Sequence, residues 1–208
     1  MASLRFHLAL IAAKCGARLI KMMGRNASHN PGVIALKICP DFMDQAPKAP
    51  LAICVIGTNG KTTSCFIIKS VLDAMGYKTG LIGTVKNIVG DKEYPAVLTT
   101  PDCYDLFGLF AEMVESGCDY CVMEVSSQAL DQRRVDGVHF DAAIFTNLTQ
   151  DHLDYHGSFE NYKAAKHMLF ENSSLAVINA DDEAALGMVE NTDCKVITFS
   201  VNDDNCDY

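Results

Sequence analysis

A lysine closing a glycine-bearing turn is the first place where this sequence offers chemistry. The run Gly57-Thr58-Asn59-Gly60-Lys61-Thr62-Thr63 follows the apolar stretch Leu51–Ile56 and precedes apolar positions at helical spacing through Met75. A strand, a Gly-rich turn and a helix in that order make a phosphate cradle. Glycine lets backbone N–H groups approach phosphate oxygens, and the helix N-terminus adds partial positive charge. In such a cradle Lys61 reaches the β- and γ-phosphates and the Thr62 hydroxyl ligates Mg2+. The strict spacing puts another glycine where Val55 stands, so the pattern is met in part. The alternative is an ordinary tight turn with a surface lysine.

Other polar groups stand at the ends of apolar runs. Glu124 closes the run that begins near Asp119. A carboxylate at the end of a buried strand needs a partner, and a metal ion is a good one. Phosphate-loop proteins carry an acid there that serves Mg2+ directly or through water. Asn147, Asp151, His152 and Asp154 follow Ala142–Phe145. In that company His152 is either a ligand or part of a helix-capping cluster. Open α/β sheets bind ligands at the carboxyl ends of their strands, which is where all these groups fall.

The elements that must position them follow from hydrophobic period and punctuation. After the loop, Phe66, Ile67, Val71, Leu72 and Met75 give a helix, with Gly76 at its C-terminal cap. Lys78–Val85 reads as a strand, and Asn87–Tyr94 as a hairpin around Gly90-Asp91. A helix opened by Asp102 or Cys103 runs through Val114 and stops at Ser116-Gly117. Strands are expected at Asp119–Val125, Asp141–Thr146, Leu175–Ile178 and Lys195–Phe199, and helices at Glu160–Phe170 and Asp182–Val189. Strands alternating with helices predict an α/β fold: a mostly parallel sheet with helices on both faces.

Ahead of this domain, residues 3–23 set Leu4, Leu8, Ile11, Leu19 and Met22 among Arg5, Lys14, Arg18 and Lys21. The spacing predicts an amphipathic helix, too short in its apolar part to span a bilayer. It suits a partner, an anionic membrane surface or the chain's own domain. Pro40, Pro47 and Pro50 mark a linker, so the expected division is 1–48 and 49–208.

The 208 residues are 49% apolar, enough for a packed core, and carry net charge −9. An acidic chain excludes nucleic acid as a main partner, though not a nucleotide in a local site. Nine cysteines, odd in number and scattered, fit reduced thiols in a cytoplasmic protein. Cys118-x-x-Cys121 has no second pair at zinc spacing and reads as structural.

These residues carry a family resemblance. Gly57–Thr63 resembles the phosphate loop of the Mur ligases, the amide ligases of peptidoglycan-precursor synthesis. Thr99-Thr100-Pro101, Met123–Leu130 with Gln132 and Arg134, Phe145–Gly157, and Tyr162-Lys163-Ala164-Ala165-Lys166 resemble the branch that adds the third residue, the UDP-N-acetylmuramoyl-tripeptide synthetases. The match runs in one order over about residues 51–200. It implies a phosphate-loop central domain that uses ATP and Mg2+ to join a diamino acid to UDP-MurNAc-L-Ala-D-Glu through an acyl phosphate. By position, Gly57, Thr58, Asn59, Gly60, Lys61, Thr62 and Thr63 correspond to the ATP site. Thr99, Thr100, Ser126, Gln132 and Arg134 correspond to contacts with the UDP-MurNAc-dipeptide. Thr62, Glu124 and His152 correspond to Mg2+ ligands, with Lys61 and His152 in catalytic positions. Lys166 corresponds to a catalytic lysine that becomes a carbamate and ligates the metal; on residue type alone it is a surface lysine on a helix.

Two departures accompany the match. The stretch Gly24–Ile38 resembles the Mur-ligase-like subunit of the lipid II amidating complex rather than a uridine-binding domain, which keeps that activity as an alternative. The chain also stops soon after Phe199, which predicts an incomplete central domain with an exposed apolar edge, inactive as a ligase by itself. A non-catalytic nucleotide-binding module is the remaining alternative.

Overall fold

The computed structural model describes residues 51–208, together with Leu8, Ile11, Ala12 and residues 38–40. The amphipathic segment 3–23 and the linker lie almost wholly outside the described residues. Cys39 is an exception of consequence: it is fully buried and belongs to the main core.

Among the described residues eight strands form one sheet: β1 (Leu51–Ile56), β2 (Thr79–Ile82), β3 (Lys86–Val89), β4 (Lys92–Pro95), β5 (Tyr120–Glu124), β6 (Ala142–Phe145), β7 (Leu175–Asn179) and β8 (Lys195–Phe199). Their order is β4-β3-β2-β5-β1-β6-β7-β8. All neighbours from β2 to β8 pair in parallel, and only the β2-β3-β4 edge is antiparallel. The helices bounded within residues 51–208 are α1 (Lys61–Ala74), α2 (Cys103–Glu115), α3 (Ser127–Asp131), α4 (Leu153–His156), α5 (Phe159–Glu171) and α6 (Ala185–Val189).

Strand alternation divides β1 between two cores. Ala52, Cys54 and Ile56 face the larger one, with Phe110 of α2 and Leu169 and Phe170 of α5. Val55 and Ile53 face the smaller one, beneath Cys65, Phe66, Ile68 and Leu72 of α1. The sheet is thus covered on both faces, as the patterning predicts. Gly76, at φ +90°, ends α1 as expected, and the Tyr77 N–H returns to the Leu72 carbonyl (3.1 Å). Asp102 caps α2 by accepting from the Asp105 N–H.

Three expectations are corrected. The strand expected over 78–85 stops at Ile82. At Gly83 a Cβ would lie 2.3 Å from Glu124 Oε1, and the next N–H, of Thr84, donates to that carboxylate (2.8 Å). The chain leaves the sheet to wrap Glu124. The helix expected from Asp182 begins at Ala185, because the Asp182 carboxylate accepts from the Leu148 and Ala184 N–H groups (2.8 and 2.9 Å). The exposed apolar edge expected at β8 is covered only in part: the Tyr208 N–H donates to Thr198 O (3.2 Å), and Asp207 accepts from the Thr198 N–H (2.9 Å), while Val196 and Val201 stay exposed. Residues 200–208 fold back along that edge.

Candidate nucleotide and substrate site

β1 lies where the strand order reverses, with β5 on one side and β6 on the other. Its register sets Val55 beside Glu124 and Ile56 beside Phe145, so three strands end together. A crevice at such a switch point is where open α/β sheets bind ligands. Here it is a cavity of about 580 Å3, lined by residues 58–63, Thr84, Leu98, Thr99, Glu124, Ser126, Gln128, Arg134 and His152. A wider groove of about 630 Å3 runs along the outer face of α1, but Phe66, Ile67, Val71, Ala74 and Val85 give it no charged group to hold a phosphate.

The loop is laced to the exit of β6. The Thr58 N–H donates to Asn147 O and the Asn59 N–H to Asn147 Oδ1, both at 2.9 Å. The Thr146 hydroxyl donates to Asn59 O (2.8 Å). A Cβ on Gly57 would lie 1.9 Å from that hydroxyl, so only glycine lets the two segments meet. With the amides of Thr58 and Asn59 engaged, the N–H groups of this segment left to meet an anion are those of the first turn of α1. Gly60 stands there at φ +82°, no side chain caps the helix, and no acidic residue occupies its first turn.

Lys61 Nζ donates to the carbonyls of Gly57 (2.8 Å) and Thr58 (2.9 Å). Burial pulls its pKa down, while Glu124 and Asp151 act to restore it. Lys166 is not a surface lysine. It is fully buried on α5, its Nζ donates to the same Gly57 carbonyl (2.8 Å), and it sits 4.6 Å from the centre of the Tyr162 ring. Burial first, then the charge of Lys61, lowers its amine to about 7.

Glu124 is buried and satisfied by hydroxyl and amide donors. Oε2 accepts from Thr62 Oγ1 (2.8 Å) and Thr84 Oγ1 (3.2 Å), and Oε1 from the Thr84 N–H. Thr62 and Glu124 therefore present hard oxygen donors side by side, chemistry that fits Mg2+. No group of three His, Cys, Asp or Glu side chains gathers as a metal site among the described residues. An ion here would need further oxygens from phosphate or water. His152 lines the cavity from a left-handed backbone (φ 51°), its ring edge-on to Tyr162 at 6.0 Å, and pairs with Asp151 (3.6 Å).

On the opposite wall, Thr99 Oγ1 meets Thr84 Oγ1 (3.1 Å). Thr100 is fully buried behind that wall, donating to Glu124 O (2.9 Å) and accepting from the Ser126 N–H (3.0 Å). The Ser126 hydroxyl caps α3 by accepting from Ala129 N (3.2 Å). Arg134 donates to Thr100 O and to Gln132 Oε1 (3.0 Å each), and Gln132 passes the chain to Tyr155 OH (2.9 Å) and so to Asp131. Thr99, Ser126 and Arg134 reach the cavity; Thr100 and Gln132 hold it from outside.

Sequence reading missed Thr84, Tyr155 and Tyr162 as parts of this network. Only Tyr162 had a signal: it precedes Lys166 by four residues, which on a helix means the same face.

A phosphate-loop turn at the switch point of a two-faced, mostly parallel sheet defines an α/β domain of nucleotide-binding type. The family model described as the Mur ligase middle domain matches residues 55–208, and the chain belongs to the Mur ligase family. It is 52% identical over 161 residues to a UDP-N-acetylmuramoyl-L-alanyl-D-glutamate--2,6-diaminopimelate ligase of Clostridium perfringens, covering 74% of this chain and 33% of that protein. A ligase of the same name from Clostridium acetobutylicum is 42% identical over 194 residues, 93% of this chain and 37% of the relative. A solved structure of a diaminopimelate ligase superposes with TM-score 0.71 at 30% identity, covering 87% of this chain and 38% of that one. The MurF structure from Acinetobacter baumannii shares the fold at TM-score 0.56 and 20% identity, over 80% of this chain and 34% of its own. The chain thus spans roughly a third to two-fifths of the length of these relatives.

Proposed function

We propose that this domain handles ATP and activates the carboxylate in an amide ligation of peptidoglycan-precursor synthesis, adding a diamino acid to UDP-MurNAc-L-Ala-D-Glu. The observation that carries this reading is the convergence of Lys61, Lys166 and Glu124 on one loop at the switch point. The names of the relatives supply the substrates. Matches covering 92–93% of the chain to diaminopimelate ligases take in residues ahead of 51 and favour this reading over the lipid II amidating alternative.

In this reading the γ-phosphoryl group passes from ATP to the substrate carboxylate. The amine then attacks the acyl phosphate, the carbon–oxygen bond to phosphate breaks, and phosphate leaves as the amide forms. The chain contributes position and charge. The first-turn amides of α1 cradle the phosphates. Lys61 exchanges its two carbonyl partners for phosphate oxygens. Thr62 and Glu124 hold Mg2+, which when bound neutralises charge on the phosphates; His152 lies on the same cavity. Lys166, with an amine near 7, is neutral often enough to take up carbon dioxide, forming a carbamate and releasing a proton; the carbamate would supply an anionic oxygen in place of the ammonium. Thr99, Ser126 and Arg134 receive the UDP-MurNAc-dipeptide, with Thr100 and Gln132 as supports. Residues 49–208 form the catalytic domain, to whose core Cys39 of the N-terminal segment 1–48 contributes, and the basic amphipathic stretch 3–23 of that segment makes a peripheral membrane or partner contact. The nucleotide substrates belong to the cytoplasm.

The test is titration with ATP and Mg2+ of the wild type and Lys61→Ala, followed by assay of a full-length relative for ligated product with diaminopimelate, lysine, or glutamine plus a glutaminase. Equal ATP affinity in both proteins removes the phosphate-loop argument. Product formed only in the arm with glutamine plus a glutaminase replaces the ligase reading by the amidating one.

A further inference from the structure

Tyr162 has no role in the reaction as derived above, yet it touches both the phosphate loop and Lys166. It is buried, at 1% exposure. A buried phenol needs a hydrogen-bond partner, and here the partner is the phosphate loop: Tyr162 OH lies 3.1 Å from Thr58 Oγ1. The direction of that bond follows from its neighbours. Thr58 Oγ1 gives its single proton to Thr149 O (3.1 Å) and accepts from the Thr149 N–H (2.9 Å). One lone pair remains, so Tyr162 is the donor. The Thr58 hydroxyl is then saturated and cannot rotate without losing a bond.

The ring of the same residue lies under Lys166 Nζ, and the rings of His152 and His156 stand 6.0 and 5.3 Å from it. Tyr162 and Lys166 are one turn apart on α5, so they share a face. That face grips two successive loop residues, Lys166 through the Gly57 carbonyl and Tyr162 through the Thr58 hydroxyl.

We propose that Tyr162 is a positioning residue of the nucleotide site: its hydroxyl fixes Thr58, and with it the path of the phosphate loop, while its ring seats the Lys166 amine against that loop. The proposal rests on reading the cavity as a nucleotide site. It differs from a packing role in one respect. A core-filling tyrosine loses little on becoming phenylalanine, and nothing that ligand binding would report.

The experiment titrates the 208-residue chain with a fluorescent methylanthraniloyl derivative of ATP in Mg2+ buffer. Wild type, Tyr162→Phe, Thr58→Val and the double variant are compared, with thermal melts confirming that each is folded. Each single variant is expected to bind about three- to tenfold more weakly, the range for one hydrogen bond. The double variant should be no weaker than the worse single one, because both remove the same bond. Tyr162→Leu, which also removes the ring, should lose more than Tyr162→Phe. Wild-type affinity in Tyr162→Phe, or full additivity of the two single losses, overturns the proposal and leaves the nucleotide reading standing. No binding by the wild type removes both.

Discussion

Substituting Gly57 by alanine tests whether the loop and β6 must meet as closely as they do. The added Cβ would lie 1.9 Å from Thr146 Oγ1 and 3.2 Å from both Asn147 N and Asn147 O. Backbone on one side leaves the hydroxyl as the group that must move. It is held, since it donates to Asn59 O (2.8 Å) and lies 3.3 Å from Ile56 O. Inserting a methyl into a packed site costs about 1–3 kcal/mol. Losing the Thr146 bond adds roughly 0.5–1.5 kcal/mol. The sum, about 1.5–4.5 kcal/mol, corresponds in a domain of this size to a melting temperature roughly 3–18 °C lower. Differential scanning fluorimetry reads it directly. Adding Thr146→Ala removes the atom in the way, so the pair should recover part of the loss instead of adding to it. Gly57→Ala melting with the wild type, or a double variant less stable than Gly57→Ala by the full cost of Thr146→Ala, would refute the claim that contact with Thr146 requires glycine here.

Lys166→Met should stabilise the bicarbonate-free protein most in mild acid. The folded amine titrates at about 7 against an ordinary 10.5, so between those values the unfolded chain binds more protons and wild-type stability rises with pH. The advantage of Lys166→Met in thermal melts, a few kcal/mol at most on the order of the shift, should therefore be largest below about pH 7 and shrink toward about pH 10; an advantage independent of pH would count against a buried amine. Glu124→Gln puts an amide where Thr62 Oγ1, Thr84 Oγ1 and Thr84 N all donate to a carboxylate. It should weaken Mg2+-dependent nucleotide binding about ten- to hundredfold and leave Mg2+-free binding nearly unchanged, as parallel titrations with and without the ion will show. Arg134→Lys cannot reach Thr100 O and Gln132 together. Affinity for the UDP-MurNAc-dipeptide should fall about tenfold, the order of one charge-assisted bond, at unchanged nucleotide affinity; equal losses for both ligands would mean that the whole cavity has collapsed.

The parts of this molecule that were legible in the sequence are those governed by local rules. β1, α1, α2, α5 and the hairpin of β3 and β4 announce themselves by period, by Asp102 and Gly76 at helix ends, and by Gly90-Asp91 at a turn. Glu124 stood out because a charge at the end of a buried strand is expensive and must be answered. What answers it was not legible. Thr84 is 40 residues away in sequence, and it arrives because Gly83 lets the chain leave the sheet against the carboxylate. The short helices α3 and α4 span about one turn each, too little for a periodic signal. Lys166 shows the limit most clearly. Lysine is rarely buried, so its type argued for the surface, and only the resemblance marked it. Its environment is made by residues from other parts of the chain, Gly57 before α1 and Lys61 within it, together with Tyr162 on its own helix. Local pattern places a side chain on a helix face. Which carbonyl that face meets is decided by the strand order β5-β1-β6, and that order brings Glu124, the loop and the β6 exit together around a lysine that no short-range rule would bury.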